Sequence, residues 1–251
     1  MTTGVTLEVL PTAAWAHRVA AAFADRLRGR PSLRVCLPTG DTPSPVYALL
    51  ASAEGRGELS FGAADVVLLD DWLGLPAGDP ARGDVRLRAE LIARLRVPPA
   101  SFATVDVDAP DPDAAAAEHD RAAAGLDLAV LGLGMNGHVG FNEPGSRPDD
   151  MTRVVRLALS SRETAVARYG AALRPSAGIT VGMTRLLAAG ECWLLVTGER
   201  KAAILRRALE EPEGPDAPAS YLRRHPRLTV FADEAAASLL QRSWPGASRQ
   251  K

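Results

Sequence analysis

The chain has 251 residues, of which 47% are hydrophobic, 24% charged and 5% aromatic. That length can bury a sizeable core in one large α/β domain or two small ones, and a charged fraction near the globular average excludes general disorder. Lys and Arg number 29 against 30 Asp and Glu, a formal net charge of -1, so no global basic field exists to hold a nucleic acid or an anionic membrane.

In chain order, the pattern of apolar runs and helical stretches predicts a helix over 13–27, a strand over 33–37, a helix over 45–53 and a strand over 66–69. Helices follow over 86–95 and 114–123, then strands over 126–131 and 193–197, a helix over 200–209, a strand over 228–231 and a last helix over 234–241. Apolar strands alternating with helices imply a doubly wound, mostly parallel sheet with helices on both faces, a modified Rossmann-like α/β fold. Pro and Gly cluster at 75–83, 98–112, 145–148 and 212–218, but none of these is long enough for a linker. With no internal repeat, one domain over 1–251 is expected. Cys36 and Cys192 each lie in an apolar run, which reads as a pair of buried thiols in strands. The N-terminus has no basic segment backed by an apolar one, and no run of 18 apolar residues occurs, so a cytoplasmic protein without membrane contact is expected.

Three polar clusters directly follow predicted strands, where such a sheet gathers its ligands. The first, Leu37-Pro38-Thr39-Gly40-Asp41-Thr42-Pro43, is as readily an ordinary strand-to-helix turn as an anion cradle at a helix start. Asp41 opposes an anion there unless it points away or caps the helix. The second, Asp70-Asp71-Trp72-Leu73-Gly74-Leu75-Pro76, sets two carboxylates at a strand end. They suit a metal or acid/base work, or merely a solvated turn, and in extended chain only one of them enters the cleft.

The third cluster is Gly132-Leu133-Gly134-Met135-Asn136-Gly137-His138-Val139-Gly140-Phe141-Asn142-Glu143-Pro144-Gly145. It does not open a helix promptly, so its glycines are no dinucleotide fingerprint. They let backbone approach a ligand. A histidine in such a loop with a carboxylate nearby is a proton carrier, Glu143 fixing the tautomer of His138. Asp127, near the start of the preceding strand, reads as structural.

This third cluster closely resembles the signature segment of the glucosamine-6-phosphate deaminase (isomerase) family, which is related to the 6-phosphogluconolactonases. Leu37 to Tyr47, Asp70 to Pro76, Ile179 to Met183, Gly198 to Ala202 and Pro218 to Leu222 with His225 resemble further family segments in the family's order. Val139 to Pro144 resembles the deaminase branch rather than the lactonase one. The resemblance implies an isomerising deaminase, classed as a hydrolase of amino sugar metabolism, that converts glucosamine 6-phosphate to fructose 6-phosphate and ammonia.

In that reading Asp70 moves the proton between C2 and C1. His138, oriented by Glu143, moves the proton that opens the ring, and Asn136 completes the catalytic set without being able to ionise. Thr39, Gly40, Asp41, Thr42, Gly137, Arg168 and Lys201 would bind the phosphorylated amino sugar. No metal and no organic cofactor is implied. Asp41 stands where the family carries Gly or Ser, and Val155 stands where allosteric members carry an effector-binding Lys. The alternatives are a 6-phosphogluconolactonase or a deaminase or isomerase of another amino sugar, and then a non-catalytic sugar-phosphate sensor. A sensor usually carries a DNA-binding module, and one helical segment before Leu33 is too little for one.

Overall fold

The computed structural model describes residues 4–170, 175–241 and 248–249, the side chains of 168, 248 and 249 excepted. Its elements run β1 (Val5–Leu10), α1 (Thr12–Gly29), β2 (Arg34–Leu37), α2 (Ser44–Gly55), β3 (Asp65–Leu68), β4 (Asp70–Trp72), α3 (Gly83–Glu90), β5 (Ser101–Ala103) and α4 (Pro112–Ala122). Then come β6 (Leu128–Gly132), β7 (Arg153–Arg156), α5 (Leu159–Tyr169), β8 (Ala177–Thr180), α6 (Met183–Leu187), β9 (Glu191–Val196), α7 (Ala202–Glu210), β10 (Leu228–Asp233) and β11 (Ser248–Arg249).

Eight strands form one sheet in the order β11-β1-β10-β9-β6-β2-β3-β5, and every pairing in it is parallel. The fold is therefore the doubly wound α/β class that the strand and helix pattern implies. Side chains alternate across the sheet as strand geometry requires. Val35, Leu37, Leu128, Val130, Trp193 and Leu195 point to one face and pack with Trp15, Val19, Phe23 and Leu27 of α1 and with α2. Cys36, Ala129, Leu131, Cys192, Leu194 and Val196 point to the other and pack with α6 and α7. Trp15, Val19, Phe23 and Leu27 recur every four residues, which gives α1 the apolar stripe that fixes it on the sheet. Both cysteines are free and buried, Cys36 in β2 and Cys192 in β9.

A second, antiparallel sheet of order β4-β8-β7 stands beside the large one. It pairs Asp70 with Thr180, Asp71 with Ile179 and Trp72 with Gly178, and so anchors the second polar cluster. Asp127 lies just before β6. Its carboxylate accepts the Arg34 N–H at 2.9 Å and pairs with Arg30 at 2.6 Å, which is a structural role.

Two expected elements differ. The helix expected over 234–241 is a series of turns. Ala237 N–H reaches Asp233 O, but Ser238 and Leu240 bond only three residues back, to Ala235 O and Ala237 O, and Gln241 N–H is taken by Glu210. Distant partners and three-residue spacing thus displace the four-residue ladder of a helix. The helix expected over 86–95 is divided, because Leu91, at φ -130° and ψ -66°, ends α3 before a short 3₁₀ turn at Ile92–Arg94. The strand β1, whose Val5, Leu7 and Val9 alternate with polar neighbours, was not among the expected strands. No described helix is long and apolar enough to cross a membrane.

Candidate active site

From β2 the chain moves outward through β3 to β5, whereas from β6 it moves the other way, through β9 to β10. The two adjacent central strands therefore send their connections in opposite directions, and the crevice between their carboxyl ends is the switch point where such sheets bind ligands. The first and third polar clusters are the loops leaving these two strands.

The loop after β6 closes on itself. Gly134 N–H donates to His138 O at 2.9 Å, and Gly137 N–H donates to Gly134 O at 3.1 Å. The His138 ring lies against the Gly134 backbone so closely that a β-carbon there would sit 2.3 Å from ring atoms. His138 Nδ1 is 3.2 Å from Glu143 Oε2 and 3.3 Å from Ser161 Oγ. A neutral ring that gives its Nδ1–H to Glu143 keeps Nε2 as a proton acceptor. Asn136 joins this set without a charge. Its Nδ2 donates to Glu143 Oε2 at 2.8 Å and to Ser160 Oγ at 3.1 Å, and its Oδ1 accepts the His138 N–H at 3.2 Å. Burial pushes the Glu143 carboxyl up, but hydrogen bonds from His138, Ser161 and Asn136 outweigh it and hold the group below its usual range.

Asp70 and Asp71 have separate surroundings. Asp71 turns inward and accepts the backbone N–H groups of Trp72 and Gly83, both at 2.7 Å, and of Asp84 at 3.0 Å. It thereby caps α3 from another element. Burial raises it to about 6 against those bonds. Asp70 faces the other way, towards Gly140. That glycine has φ +57°, and a β-carbon on it would meet Thr180 Oγ1 at 2.7 Å and Asp70 Oδ2 at 3.1 Å. Only glycine lets the β6 loop press on Asp70 in this way. Burial, then the neighbouring Asp71 and Glu143 charges, push the Asp70 carboxyl up to about 8. A carboxylate so placed is a base matched to neutral or slightly alkaline pH.

Around the loop after β2, Thr39, Gly40 and Thr42 are half-buried and Asp41 is exposed. Tyr47 OH fixes the loop by donating to Pro38 O at 2.7 Å, and Ser44 Oγ is 2.6 Å from Gly40 O. Asp41 forms an ion pair with Arg86 of α3 at 3.3 Å, so its carboxylate is turned to a cation. Lys201 belongs to the 3₁₀ turn Glu199–Lys201. Its Nζ donates to Leu133 O at 2.5 Å, which sets an ammonium beside the β6 loop. Burial, then the nearby Arg200 charge, lower it to about 8. Gly137 donates within its loop, and its carbonyl accepts Ala219 N–H at 2.8 Å. Arg168 falls on α5, but its side chain lies outside the described residues.

The structure thus gathers Asp70, Asn136, His138 and Glu143 at one end of the crevice, with the Lys201 ammonium beside the β6 loop at Leu133. It also brings in residues without an expected role. Thr180 accepts the Phe141 N–H at 3.1 Å beside Asp70. Ser160 and Ser161 reach the His138 cluster from α5, and Tyr169, at the far end of α5, accepts a bond from Arg86. Thr180 lies in a segment that carries the family resemblance, and that was a usable signal. The serines and Arg86 belong to polar-rich helices, where nothing in the residue pattern marks them.

Known proteins resemble this chain along most of its length. Residues 10–230 match the family model described as Glucosamine-6-phosphate isomerases/6-phosphogluconolactonase. The chain is 36% identical over 250 residues to a glucosamine-6-phosphate deaminase of Rhodopirellula baltica, covering 95% of this chain and 97% of that one. It is 38% identical over 227 residues to one from Pseudarthrobacter chlorophenolicus, covering 88% and 87%. The solved structure of a monomeric glucosamine-6-phosphate deaminase superposes with a TM-score of 0.88 at 29% identity, covering 93% of this chain and 99% of that one.

Proposed function

The chain belongs to the family of glucosamine-6-phosphate isomerases and 6-phosphogluconolactonases, and from that premise we propose that it is a cytoplasmic, single-domain glucosamine-6-phosphate deaminase. The observation that carries this reading is the meeting, at one end of the crevice, of a buried carboxyl with a histidine–carboxylate pair. Asp70 is raised to about 8, while Glu143 is held ionised beside His138. Two groups with opposed tuning suit two separate proton transfers.

In this mechanism the sugar phosphate sits with its phosphate over the loop at Thr39, Gly40 and Thr42, held also by Lys201 and, as the family resemblance implies, by Arg168. His138 Nε2 takes the proton from the anomeric hydroxyl and returns it to the ring oxygen, which opens the ring. Glu143 stabilises the imidazolium that forms in between, and Asn136 keeps Glu143 in place. Asp70 then removes the C2 proton and delivers one to C1, and the nitrogen at C2 becomes an imine. One water adds to that carbon as one ammonia leaves, so the net reaction is a hydrolytic deamination coupled to isomerisation. The loop's own backbone and the Asp70 carboxyl, both withdrawn from solvent, keep the base poorly solvated until substrate arrives.

The test is release of ammonia and fructose 6-phosphate from glucosamine 6-phosphate by the purified chain, with 6-phosphogluconolactone and other phosphorylated amino sugars assayed in parallel. Equal amounts of both products, lost in His138→Gln, are expected. Hydrolysis of the lactone without ammonia release would replace the deaminase with the lactonase reading.

A further inference from the structure

Arg86 is held by two of its three nitrogens. Nε lies 2.5 Å from Glu90 Oε1, one turn further along α3, and Nη1 lies 2.8 Å from Tyr169 OH on α5. Among the described residues the third, Nη2, makes only long contacts, 3.3 Å to Asp41 Oδ1 and 3.3 Å to Ser44 Oγ. Both of those partners belong to the β2 loop and the start of α2. The guanidinium is a rigid planar fork. Two tight bonds therefore fix the direction of the third edge, and that edge faces the loop at a helix start, where an anion is favoured. The Arg86 side chain is only 12% exposed, whereas that of Asp41 is 84% exposed. A pre-set cation is thus covered by a carboxylate that lies largely in solvent.

We propose that Nη2 of Arg86 is a donor for the phosphate of the substrate, and that Asp41 is an internal competitor which occupies this edge until the phosphate displaces it. The assignment rests on the deaminase reading for its ligand, a sugar 6-phosphate, but the site itself requires only a phosphate. A phosphate on Nη2 would lie beside the Asp41 carboxylate, and like charges so close repel. Asp41 must leave first. An ion pair this exposed is weak, so leaving lowers affinity modestly rather than closing the site. Residue 41 then sets how tightly the loop holds a phosphate, and Arg86 sets whether it holds one well.

The experiment is a double-mutant cycle with inorganic phosphate as the probe, titrated calorimetrically onto wild type, Asp41→Asn, Arg86→Gln and the double variant, each checked for its far-ultraviolet spectrum. Asp41→Asn should tighten phosphate about two- to five-fold, and Arg86→Gln should weaken it about ten-fold or more. In the Arg86→Gln background the gain from Asp41→Asn should vanish. KM for glucosamine 6-phosphate should move in the same order. Independent, additive effects, unchanged or weaker binding in Asp41→Asn, or no phosphate binding to wild type and Asp41→Asn alike would each overturn the proposal. Should Arg86→Gln fail to fold, Arg86→Lys keeps the charge but loses the fork, and should again weaken phosphate. If neither folds, Asp41→Asn alone decides. A coupled cycle in a chain that releases no ammonia leaves this site standing and sinks the deaminase reading. A working deaminase with an additive cycle does the reverse.

Discussion

The two ends of the crevice are built differently. At the end proposed for proton transfer, Asp70 and Glu143 are buried, and His138 and Asp70 each lie against a glycine with no room for a β-carbon. At the end proposed to hold the phosphate, Asp41 is exposed and Thr39 and Thr42 are half-buried, and the contacts from Asp41 and Ser44 to Arg86 are long. Proton transfer fails when donor and acceptor move by an ångström, because it depends on orientation as much as on charge. Holding an anion depends on summed charge and tolerates displacement. The contrast between the ends follows from that difference.

Four experiments would break or sharpen the contrast. Asp70→Asn should lower kcat by about 10²- to 10⁴-fold, measured as ammonia release; a variant keeping more than half of its activity would remove Asp70 from the mechanism. Gly140→Ala should lower kcat by about 10- to 100-fold through misplacement alone, because the added methyl meets Thr180 and Asp70 in a backbone at φ +57°. An equal effect on KM alone would mean that the loop binds rather than positions. Next, kcat should rise from pH 6 and level off above about 8, as Asp70 loses the proton that burial makes it keep. Over the same range KM should climb as Lys201, lowered to about 8, gives up its charge. A flat kcat profile would assign the base elsewhere.

The smallest effect concerns stability. The Asp70 carboxyl is raised in the folded chain to about 8 from its ordinary value of 3.8. Between those values the unfolded chain releases a proton that the folded chain retains, so stability falls as pH rises through this window and is level above it. Asn carries no such penalty. Asp70→Asn should therefore raise Tm by a few degrees above pH 8, with the gain shrinking to nothing by pH 4. A lower Tm at every pH would show that the carboxyl is bound in a way its burial does not reveal.

Legibility in the sequence divides along similar lines. The loops after β2 and β6 stood out because apolar strands end abruptly in Gly, Thr, Asn and His, and the sheet's switch point follows from the same strands. The opposite facing of Asp70 and Asp71 followed from the two-residue period of extended chain. Arg86, Ser161 and Tyr169 were hidden because the partners that tie them to the site lie 23 or more positions away, across elements whose packing no local pattern encodes. The small sheet was hidden because a strand as short as Asp70–Trp72 has no period to detect. The turns over 234–239 looked helical because local composition favours a helix there, while Glu210 and the three-residue bonds decide otherwise.

The three backbone bonds to Asp71 also act as a register lock. In a strand of three residues, a slip by one position would exchange every inward side chain for its outward neighbour. Asp71 would then enter the crevice and Asp70 would turn to the start of α3. Both residues are aspartate, so chemistry alone could not tell the two registers apart. The α3 N–H groups can, because they pull one carboxylate of the pair out of contention. Which of the two carboxylates is offered to the crevice as the proposed base is thus decided by where its neighbour is tied.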